Sequence, residues 1–258
     1  MKNIKSNFIL KSVFNIIQNK RKLKIINHNE NLILRLNLEK ADFKIYSILK
    51  ELNEKFNLHI KDIDIKELNL SNKYLGNNDI KEIGLNKKIN DIKILEEIKL
   101  EKLETLRLCW NYISDIKFLE TVKFDRLELL NLNYNKISNL EVFWKVNFQE
   151  LKELYLSENK ISDIKIFGNV KFNKLEKLDL SFNEISDIKV FKIAKFEKLK
   201  ILFLNGNKIS DIKALENINF TELKELYLND NELDDNSSII INLKSKIKYV
   251  CINKRIKK

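Results

Sequence analysis

The chain has 258 residues, of which 44% are hydrophobic, and this length accommodates one large domain or two small ones. No apolar run reaches the roughly eighteen residues that a membrane-spanning helix requires, which excludes such a span. The formal net charge is +11, but the excess of Lys and Arg lies in residues 1–40 and 236–258, and the chain between Leu103 and Glu222 is nearly neutral. A basic end can contact nucleic acid or anionic lipid; the simpler interpretation is a solvated, lysine-rich surface.

We do not expect an export signal. The N-terminus alternates basic and apolar residues, without the continuous apolar stretch and small-residue cleavage site of a secretory signal. Cys109 and Cys251 lie far apart in the sequence and do not indicate a disulfide framework. We therefore expect a cytoplasmic protein.

Residues 1–60 form the first segment, which we expect to be helical. Apolar residues recur at helical spacing from Ile45 to Phe56. Residues 7–38 contain, in this order, an apolar pair, Val-Phe, Ile-Ile, Lys-Leu-Lys-Ile-Ile, Asn and a leucine-rich end. This order resembles a degenerate F-box, although the leading Leu-Pro of that family is absent. The resemblance implies short helices that dock a Skp-type adaptor, so that the repeats behind them select substrates for ubiquitination. The alternative is a helical cap on the repeats.

Residues 61–102 contain two irregular units. Ile65, Leu68 and Leu70 have the spacing IxxLxL, and Ile80, Ile83 and Leu85 repeat it. The second unit continues to Ile92 with one residue fewer than the units that follow. We expect both to be degenerate copies of the regular repeat.

Residues 103–234 hold six copies of a 24-residue unit with the frame LxxLxLxxNxIS, and the sixth copy loses the frame after Leu233. The first leucine of the frame recurs at Leu103, Leu127, Leu151, Leu175, Leu199 and Leu223. An asparagine follows eight residues later in each copy, at Asn111, Asn135, Asn159, Asn183, Asn207 and Asn231. Such strict self-similarity predicts a stacked repeat architecture, in which no unit buries its core alone.

The frame has a direct physical interpretation. In LxxLxL the last two leucines are two residues apart, so they share one face of a short strand while the residue between them faces out. Stacked strands then form a parallel sheet. The asparagine lies where the chain leaves the strand, and its buried carboxamide can satisfy backbone groups of adjacent turns, which predicts an asparagine ladder.

The repeat resembles a leucine-rich repeat, and its NxISDI turn is similar to the internalin and phosphatase-regulator type. The resemblance implies an α/β, right-handed solenoid with a curved, parallel, concave sheet, short helices or turns on the convex side and a helical N-terminal cap. It also implies a non-enzymatic scaffold or regulator that binds proteins.

The second half of each unit fills the other wall of the core. Phenylalanines recur at the same 24-residue spacing, and we expect them to stack as an aromatic spine: Phe124, Phe148, Phe172, Phe196 and Phe220. Serines that precede an aspartate are placed to cap a short convex helix or turn: Ser114, Ser162, Ser186 and Ser210.

Residues 235–258 form a C-terminal cap with a basic tail. Asp234 and Asp235 interrupt the frame, and Lys248 to Ile252 are predicted to form a final edge strand, which lysines protect against pairing with other chains.

Residues that could carry chemistry are sparse. His28 and His59 have no Cys, His or paired carboxylate at ligand spacing, so no metal site is predicted. Four scattered glycines cannot form a phosphate-binding loop, and no nucleophile motif is present. We therefore predict neither a cofactor nor an enzyme.

The variable positions beside the frame carry the functional prediction. Three variable positions of each repeat should line the concave face: the residue between the two strand leucines and the two residues before the ladder asparagine. Aromatic residues occupy six of the eighteen positions in these three columns, although the chain as a whole is 9% aromatic. Exposed aromatics among small polar residues are typical of protein-recognition surfaces. The alternative is a set of scattered aromatics that shield the sheet. The predicted partner-binding residues are Arg107, Trp110, Asn131, Tyr134, Tyr155, Glu158, Asp179, Phe182, Phe203, Tyr227 and Asp230.

These patterns predict a monomeric solenoid that binds a protein partner on its concave face. Arg107 is the one basic residue among the three columns, so nucleic acid is not expected there. Two alternatives remain open: an F-box-like substrate receptor of a ubiquitin ligase, and contact of the basic tail with nucleic acid or membrane.

Overall fold

A computed structural model describes residues 53–54, 66–71, 100–122, 124–216, 218, 220–233 and 238–252. The chain divides into two compact units, residues 1–65 and residues 66–258. In the first unit Asn53 and Glu54 are described, and both are helical. Several predictions lie outside the described residues: the F-box-like segment 7–38, both histidines, the irregular unit at 80–92 and the end of the basic tail after Ile252.

The second unit is built on one open sheet of eight parallel strands in sequential order. Each strand has three residues: β1 Glu67–Asn69, β2 Thr105–Arg107, β3 Leu129–Asn131, β4 Glu153–Tyr155, β5 Lys177–Asp179, β6 Ile201–Phe203, β7 Glu225–Tyr227 and β8 Tyr249–Cys251. From β2 to β7 the middle residue is buried and its two neighbours are half-buried. This alternation and the 24-residue register confirm the predicted leucine-rich-repeat solenoid.

The N-terminal edge of the sheet comes from the first irregular unit. Leu68 in β1 is the register partner of Leu106 in β2, and β1 pairs directly with β2. Leu68 and Leu70 are both buried. The frame IxxLxL therefore does form a strand at 67–69, even though the unit departs from the regular repeat elsewhere.

Short 3-10 helices return the chain on the side opposite the sheet. They span Lys117–Glu120, Glu141–Trp144, Lys165–Gly168, Lys189–Lys192 and Lys213–Leu215. The predicted serine caps are wrong, because the acceptor is the side chain one residue later. Asp187 Oδ1, for example, accepts the backbone N–H of Lys189 at 2.9 Å, and Asp163 does the same for Lys165 at 2.8 Å. The shorter serine side chain is exposed at these positions.

The core between the sheet and these helices contains two phenylalanine columns. The predicted column is buried throughout, and Phe148 contacts Phe172 with ring centroids 6.4 Å apart. A second column, which the repeat frame did not predict, presents its rings edge-on to the first. Its contacts are Phe143 with Phe172 at 5.7 Å, Phe167 with Phe196 at 5.8 Å and Phe191 with Phe220 at 5.8 Å. Each buried ring contributes about 1.5–3 kcal/mol of hydrophobic stabilisation.

The C-terminal end of the core is covered by an α-helix and the last strand. Helix α1, Ser238–Lys246, was not predicted from the sequence; it buries Ile240 and Leu243. The predicted edge strand is present as β8, with Val250 paired to Leu226. Within the described part of the chain, no helix is long and apolar enough to cross a bilayer.

Candidate functional site

One face of the sheet packs on the core, and the opposite face carries the variable residues. We define the sheet face as the two outward positions of each strand together with the residue that precedes each ladder asparagine. The second outward position is the column predicted from the sequence, from Arg107 to Tyr227, and all six of its residues are half-buried. The first outward position forms a further column: Thr105, Leu129, Glu153, Lys177, Ile201 and Glu225.

This first column was not predicted from the sequence, although the sequence contains a signal for it. The buried leucine in the middle of each strand has an outward neighbour on both sides, because side chains alternate along a strand. In the frame LxxLxL, the outward residue between the last two leucines was predicted to face the partner. The outward residue directly before these two leucines was not. The omission matters, because the missed column supplies Glu153, Lys177 and Glu225 to the sheet face.

The residue before each ladder asparagine has a left-handed backbone. The φ angles are 58° at Trp110, 56° at Tyr134, 55° at Glu158, 52° at Phe182 and 58° at Asp230, and Gly206 has 68°. A left-handed conformation costs a residue other than glycine about 1–2 kcal/mol. Three of these residues are large aromatics, for which positive φ is least expected. The repeat therefore holds bulky side chains in a strained conformation at the edge of the sheet.

The ladder asparagines are the reason that this conformation persists. Asn159 donates from Nδ2 to the carbonyl of Leu132 in the previous repeat and to that of Leu156 in its own turn, both at 3.0 Å. Its Oδ1 accepts the N–H of Ile137 at 2.9 Å. The carboxamide thus connects two successive turns, and all six ladder asparagines are buried. Because the bonds fix the turn on both sides, they hold the preceding residue in its left-handed position.

Two of the left-handed aromatics stack on each other. The rings of Trp110 and Tyr134 have centroids 3.7 Å apart and planes inclined by 8°. Even so, 56% of the surface of Trp110 remains exposed. Farther along the same column, the ring of Phe182 lies over Gly206, where a Cβ atom would approach Cε1 of Phe182 to 2.7 Å. These rings are not part of the core, and they are held in place by neighbouring repeats.

A second aromatic group lies at the C-terminal end of the sheet face. Phe203 and Tyr227 stack with centroids 4.5 Å apart, and Tyr249 contacts Tyr227 at 5.4 Å. The ammonium group of Lys177 lies 5.0 Å from the ring centroid of Tyr155 and 5.5 Å from that of Phe203. The sheet face therefore already holds one cation over its own aromatic rings, an arrangement that is favourable by about 0.5–1 kcal/mol at exposed sites.

Two tyrosines on the sheet face donate their hydroxyl groups to glutamates two residues earlier. Tyr155 donates to Glu153, and Tyr227 donates to Glu225 at 2.9 Å. Burial, followed by the bond to Glu153, raises the pKa of Tyr155 well above its usual value. The bond to Glu225, followed by burial, raises the pKa of Tyr227 to about 12. Both phenols are therefore protonated at neutral pH, and each fixes a carboxylate beside an aromatic ring.

The centre of the sheet face is polar. Asp179 Oδ1 accepts the hydroxyl of Ser181 at 2.5 Å, and the hydroxyl groups of Ser181 and Ser157 lie 2.9 Å apart. Asn131, also a predicted contact residue, accepts the N–H of Asn133 at 3.0 Å. Part of the hydrogen-bonding capacity of these side chains is thus used to fix their own turns, which leaves them rigid.

The described residues offer little for catalysis. No three of the His, Cys, Asp and Glu residues in the described ranges are grouped to hold a metal ion. Cys109 and Cys251 are free thiols, and Cys109 lies 3.0 Å from the hydroxyl of Ser71. An open cleft of about 400 Å³ beside α1 is lined mainly by apolar side chains such as Phe220, Leu243 and Ile247. This cleft contains no nucleophile paired with a base.

Comparisons with known proteins agree with the repeat architecture. A family model described as Leucine Rich repeats (2 copies) matches residues 149–193 and 173–217. A search of curated proteins found no match to the sequence. Among solved structures, the chain is similar to an internalin (inlF) of Listeria monocytogenes, with a TM-score of 0.53 and 29% identity over 65% of this chain and 46% of that one.

Two further structures show the same fold. The internalin C2 (inlC2) of Listeria monocytogenes has a TM-score of 0.53 and 19% identity over 83% of this chain and 96% of its own. A leucine-rich-repeat protein of Leptospira interrogans has a TM-score of 0.52 and 25% identity over 63% of this chain and 40% of its own. The alignment thus covers less than half the length of inlF and of the Leptospira protein. The 24-residue units are leucine-rich repeats, a fold that typically serves as a protein-interaction module.

Proposed function

We propose that the sheet face binds another protein and that the chain acts through this binding and not through catalysis. The observation that carries the proposal is the strained aromatic column. Trp110, Tyr134 and Phe182 are exposed, lie outside the core and occupy left-handed backbone positions that cost stability. Strain of this kind is expected at binding sites, because the surrounding fold holds the residues in a position that function requires.

The surface suits protein recognition by its rigidity. The ladder bonds and the ring stacks fix the aromatic side chains before a partner arrives, so binding needs little ordering of side chains. Large aromatic side chains are the commonest sources of binding energy at protein interfaces. The predicted partner-binding residues from Arg107 to Asp230 all lie on this face, and we propose them as contacts together with the column of first outward positions. We propose further that the free chain is a monomer.

Two double variants on the sheet face and one control double variant test the location of the interface. Trp110→Ala/Tyr134→Ala and Tyr155→Ala/Phe203→Ala remove aromatic side chains from the sheet face. The control, Trp144→Ala/Ile193→Ala, removes two exposed apolar side chains on the opposite side, at the end of one 3-10 helix and directly after another; Trp144 is 62% and Ile193 65% exposed.

Each variant is used as bait for affinity capture with mass spectrometry, and its thermal unfolding is recorded. We expect the sheet-face variants to lose partners that the wild-type chain and the control retain, while every variant remains folded at the temperature of the capture experiment. Loss of the same partners in the control alone would place the interface on the opposite side and contradict the proposal.

A further inference from the structure

Most carboxylates of the sheet face lack a cationic partner among the residues that the structure describes. The face carries six of them, and one, Glu67, pairs with Arg107 at 3.1 Å. The other five, which we call the sheet-face carboxylates, are not within ion-pair distance of any Lys or Arg among the described residues. They are Glu153, Glu158, Asp179, Glu225 and Asp230. Where they have hydrogen-bond partners, those partners are neutral, such as the hydroxyl groups of Tyr155 and Tyr227.

Many carboxylates elsewhere on the repeats are paired with lysines. Lysines one repeat away contact Glu128 at 2.9 Å, Glu150 at 2.6 Å and Glu176 at 2.8 Å. The same arrangement joins Lys208 to Glu184 at 3.2 Å. The repeat can thus place lysines opposite carboxylates, and it does so outside the sheet face. On the face itself, the cations among the described residues are Arg107 and Lys177.

The sheet face is therefore acidic on a basic chain. Six carboxylates against two cations give the face a charge of −4, whereas the whole chain carries +11. Charges separated by more than about 8 Å are screened at physiological salt, so a molecule on the sheet responds mainly to this local negative charge. A phosphate backbone is repelled there, and a cationic segment is attracted.

The aromatic rings favour the same cations. Tyr227 lies between Phe203 and Tyr249 and fixes Glu225 beside its ring, so an aromatic surface and a carboxylate are adjacent. Tyr249 is the exposed end of this stack and the register partner of Glu225, so a guanidinium or ammonium group that stacks on its ring can also contact the carboxylate. Lys177 over Tyr155 and Phe203 shows this geometry within the chain itself.

From the charge and the ring geometry together, we propose that the partner presents a segment rich in arginine or lysine to the sheet face. The inference rests on the proposed function and specifies its partner class. Eight strands about 4.8 Å apart span about 34 Å, which corresponds to about ten residues of extended chain. The cationic side chains lie over the exposed ring of Tyr249, next to Glu225, and beside Glu153 and Asp179.

Labelled peptides of about ten residues test the proposal directly with the full chain. The first probe alternates Arg and Ser, the second replaces Arg by its neutral isostere citrulline, and the third replaces Arg by Glu. Fluorescence anisotropy measures binding at low and at physiological salt. We expect the Arg probe to bind, binding to weaken as salt rises, and the citrulline probe to bind at least about tenfold more weakly. Equal binding of the Arg and citrulline probes, or no binding of the Arg probe, overturns the proposal.

Two triple variants with the same charge change locate the effect. Glu153→Gln/Asp179→Asn/Glu225→Gln neutralises three of the five sheet-face carboxylates and keeps the hydrogen-bond acceptors, whereas Glu120→Gln/Glu150→Gln/Glu184→Gln removes paired carboxylates elsewhere. We expect the first triple variant to bind the Arg probe at least about tenfold more weakly and the second to bind like wild type. Equal weakening in both would mean that only net charge matters, which overturns the proposal.

The outcome also separates this inference from the proposed function. If the neutralised triple variant captures the same protein partners as wild type while Trp110→Ala/Tyr134→Ala does not, the face binds proteins but not through cations. If Trp110→Ala/Tyr134→Ala also captures them, both proposals fail. Sedimentation of the wild-type chain is expected to show a monomer; a dimer lost in the neutralised variant would identify a second copy as the occupant and overturn the assignment to a separate partner.

Discussion

The ring of Phe182 lies against the α-carbon of Gly206, one repeat away along the same column. Both residues are left-handed, with φ angles of 52° and 68°. A side chain at position 206 would occupy the space of the ring, so Gly206 is needed here for the close approach of its neighbour. Five other turns hold a non-glycine residue in the same conformation, which shows that φ alone does not demand glycine.

A double-mutant cycle measures this contact. Gly206→Ala is expected to cost about 1–2 kcal/mol through the left-handed backbone in a Phe182→Ala background. In the wild-type background the ring must also move, and we expect an additional loss of at least about 0.5 kcal/mol. Urea unfolding of the four proteins gives the coupling energy. Additive effects would show that the ring adapts freely and that Gly206 serves only the backbone conformation.

The ladder predicts very different costs for two asparagines in one turn. Asn207 is 3% exposed, donates to the carbonyls of Leu180 and Leu204 at 2.9 and 3.0 Å, and accepts the N–H of Ile185 at 3.0 Å. Because Asn207→Ala leaves several buried backbone groups without partners, we expect it to lower the free energy of unfolding by more than about 1–3 kcal/mol.

Asn205 is the matched control, since it lies two residues earlier and is half-buried. We expect Asn205→Ala to change the free energy of unfolding by less than about 0.5 kcal/mol. Urea unfolding midpoints of the two variants provide the comparison, and similar midpoints would count against the ladder as the main stabiliser of the turns.

Asp187 and Ser186, which precede the 3-10 helix Lys189–Lys192, provide a second pair of positions for comparison. Asp187 accepts the N–H of Lys189 at 2.9 Å, whereas Ser186 is exposed. Asp187→Ala is expected to cost about 0.5–2 kcal/mol, and Asp187→Asn should retain most of that energy because it keeps the acceptor oxygen. Ser186→Ala should be nearly neutral. A larger loss in Ser186→Ala than in Asp187→Ala, measured by thermal unfolding, would restore the serine cap predicted from the sequence.

High pH should weaken the sheet face through its tyrosines. The pKa of Tyr227 is about 12 in the folded chain and about 10 in an unfolded chain. Its contribution to stability is therefore full below about pH 10, declines as pH rises from 10 to 12, and is absent above that range. Tyr227→Phe should reduce this decline in the free energy of unfolding.

Phenolate absorbance provides an independent measurement of the same pKa. We expect Glu225→Gln to lower the pKa of Tyr227, because a neutral acceptor no longer favours the protonated phenol. Lys198, whose ammonium pairs with Glu222 outside the sheet face, is a control site: Lys198→Gln should leave the tyrosine titration unchanged. An ordinary pKa for Tyr227 in the folded wild-type chain would contradict the geometry.

The sequence predicted the strands and the buried asparagines well, because the same geometry must be satisfied in every copy. Leu106, Leu130 and Leu154 occupy the same core-facing position in successive strands, and this position recurs six times at a spacing of 24 residues. The irregular unit at 65–70 was also recognisable by its leucines. Less was recognisable where one residue type can serve several roles: the serine and the aspartate of the SD pair are both good caps, and only the turn geometry selects the aspartate.

Several features of the sheet face could not be derived from the period. A left-handed backbone before each asparagine leaves no consistent residue type, since Trp, Tyr, Glu, Phe, Gly and Asp all occur there. The weak signal was Gly206, a glycine in a column of larger residues. The stacking of Trp110 on Tyr134 and the missing lysine partners of the sheet-face carboxylates depend on distances between repeats. The partner-binding role of these residues remains a prediction that the experiments above address.

By itself, therefore, the sequence determined the stacking unit of this protein: its period, its buried leucines, its asparagine ladder and the face on which the variable residues lie. Burial imposes the same residue types on every copy, so the buried positions can be identified from their repetition in the sequence. Only the tertiary structure decided what the variable residues form together. Ring stacks, tyrosine–glutamate pairs and unpaired carboxylates arise between side chains of adjacent strands, and no spacing along the chain specifies how those side chains meet.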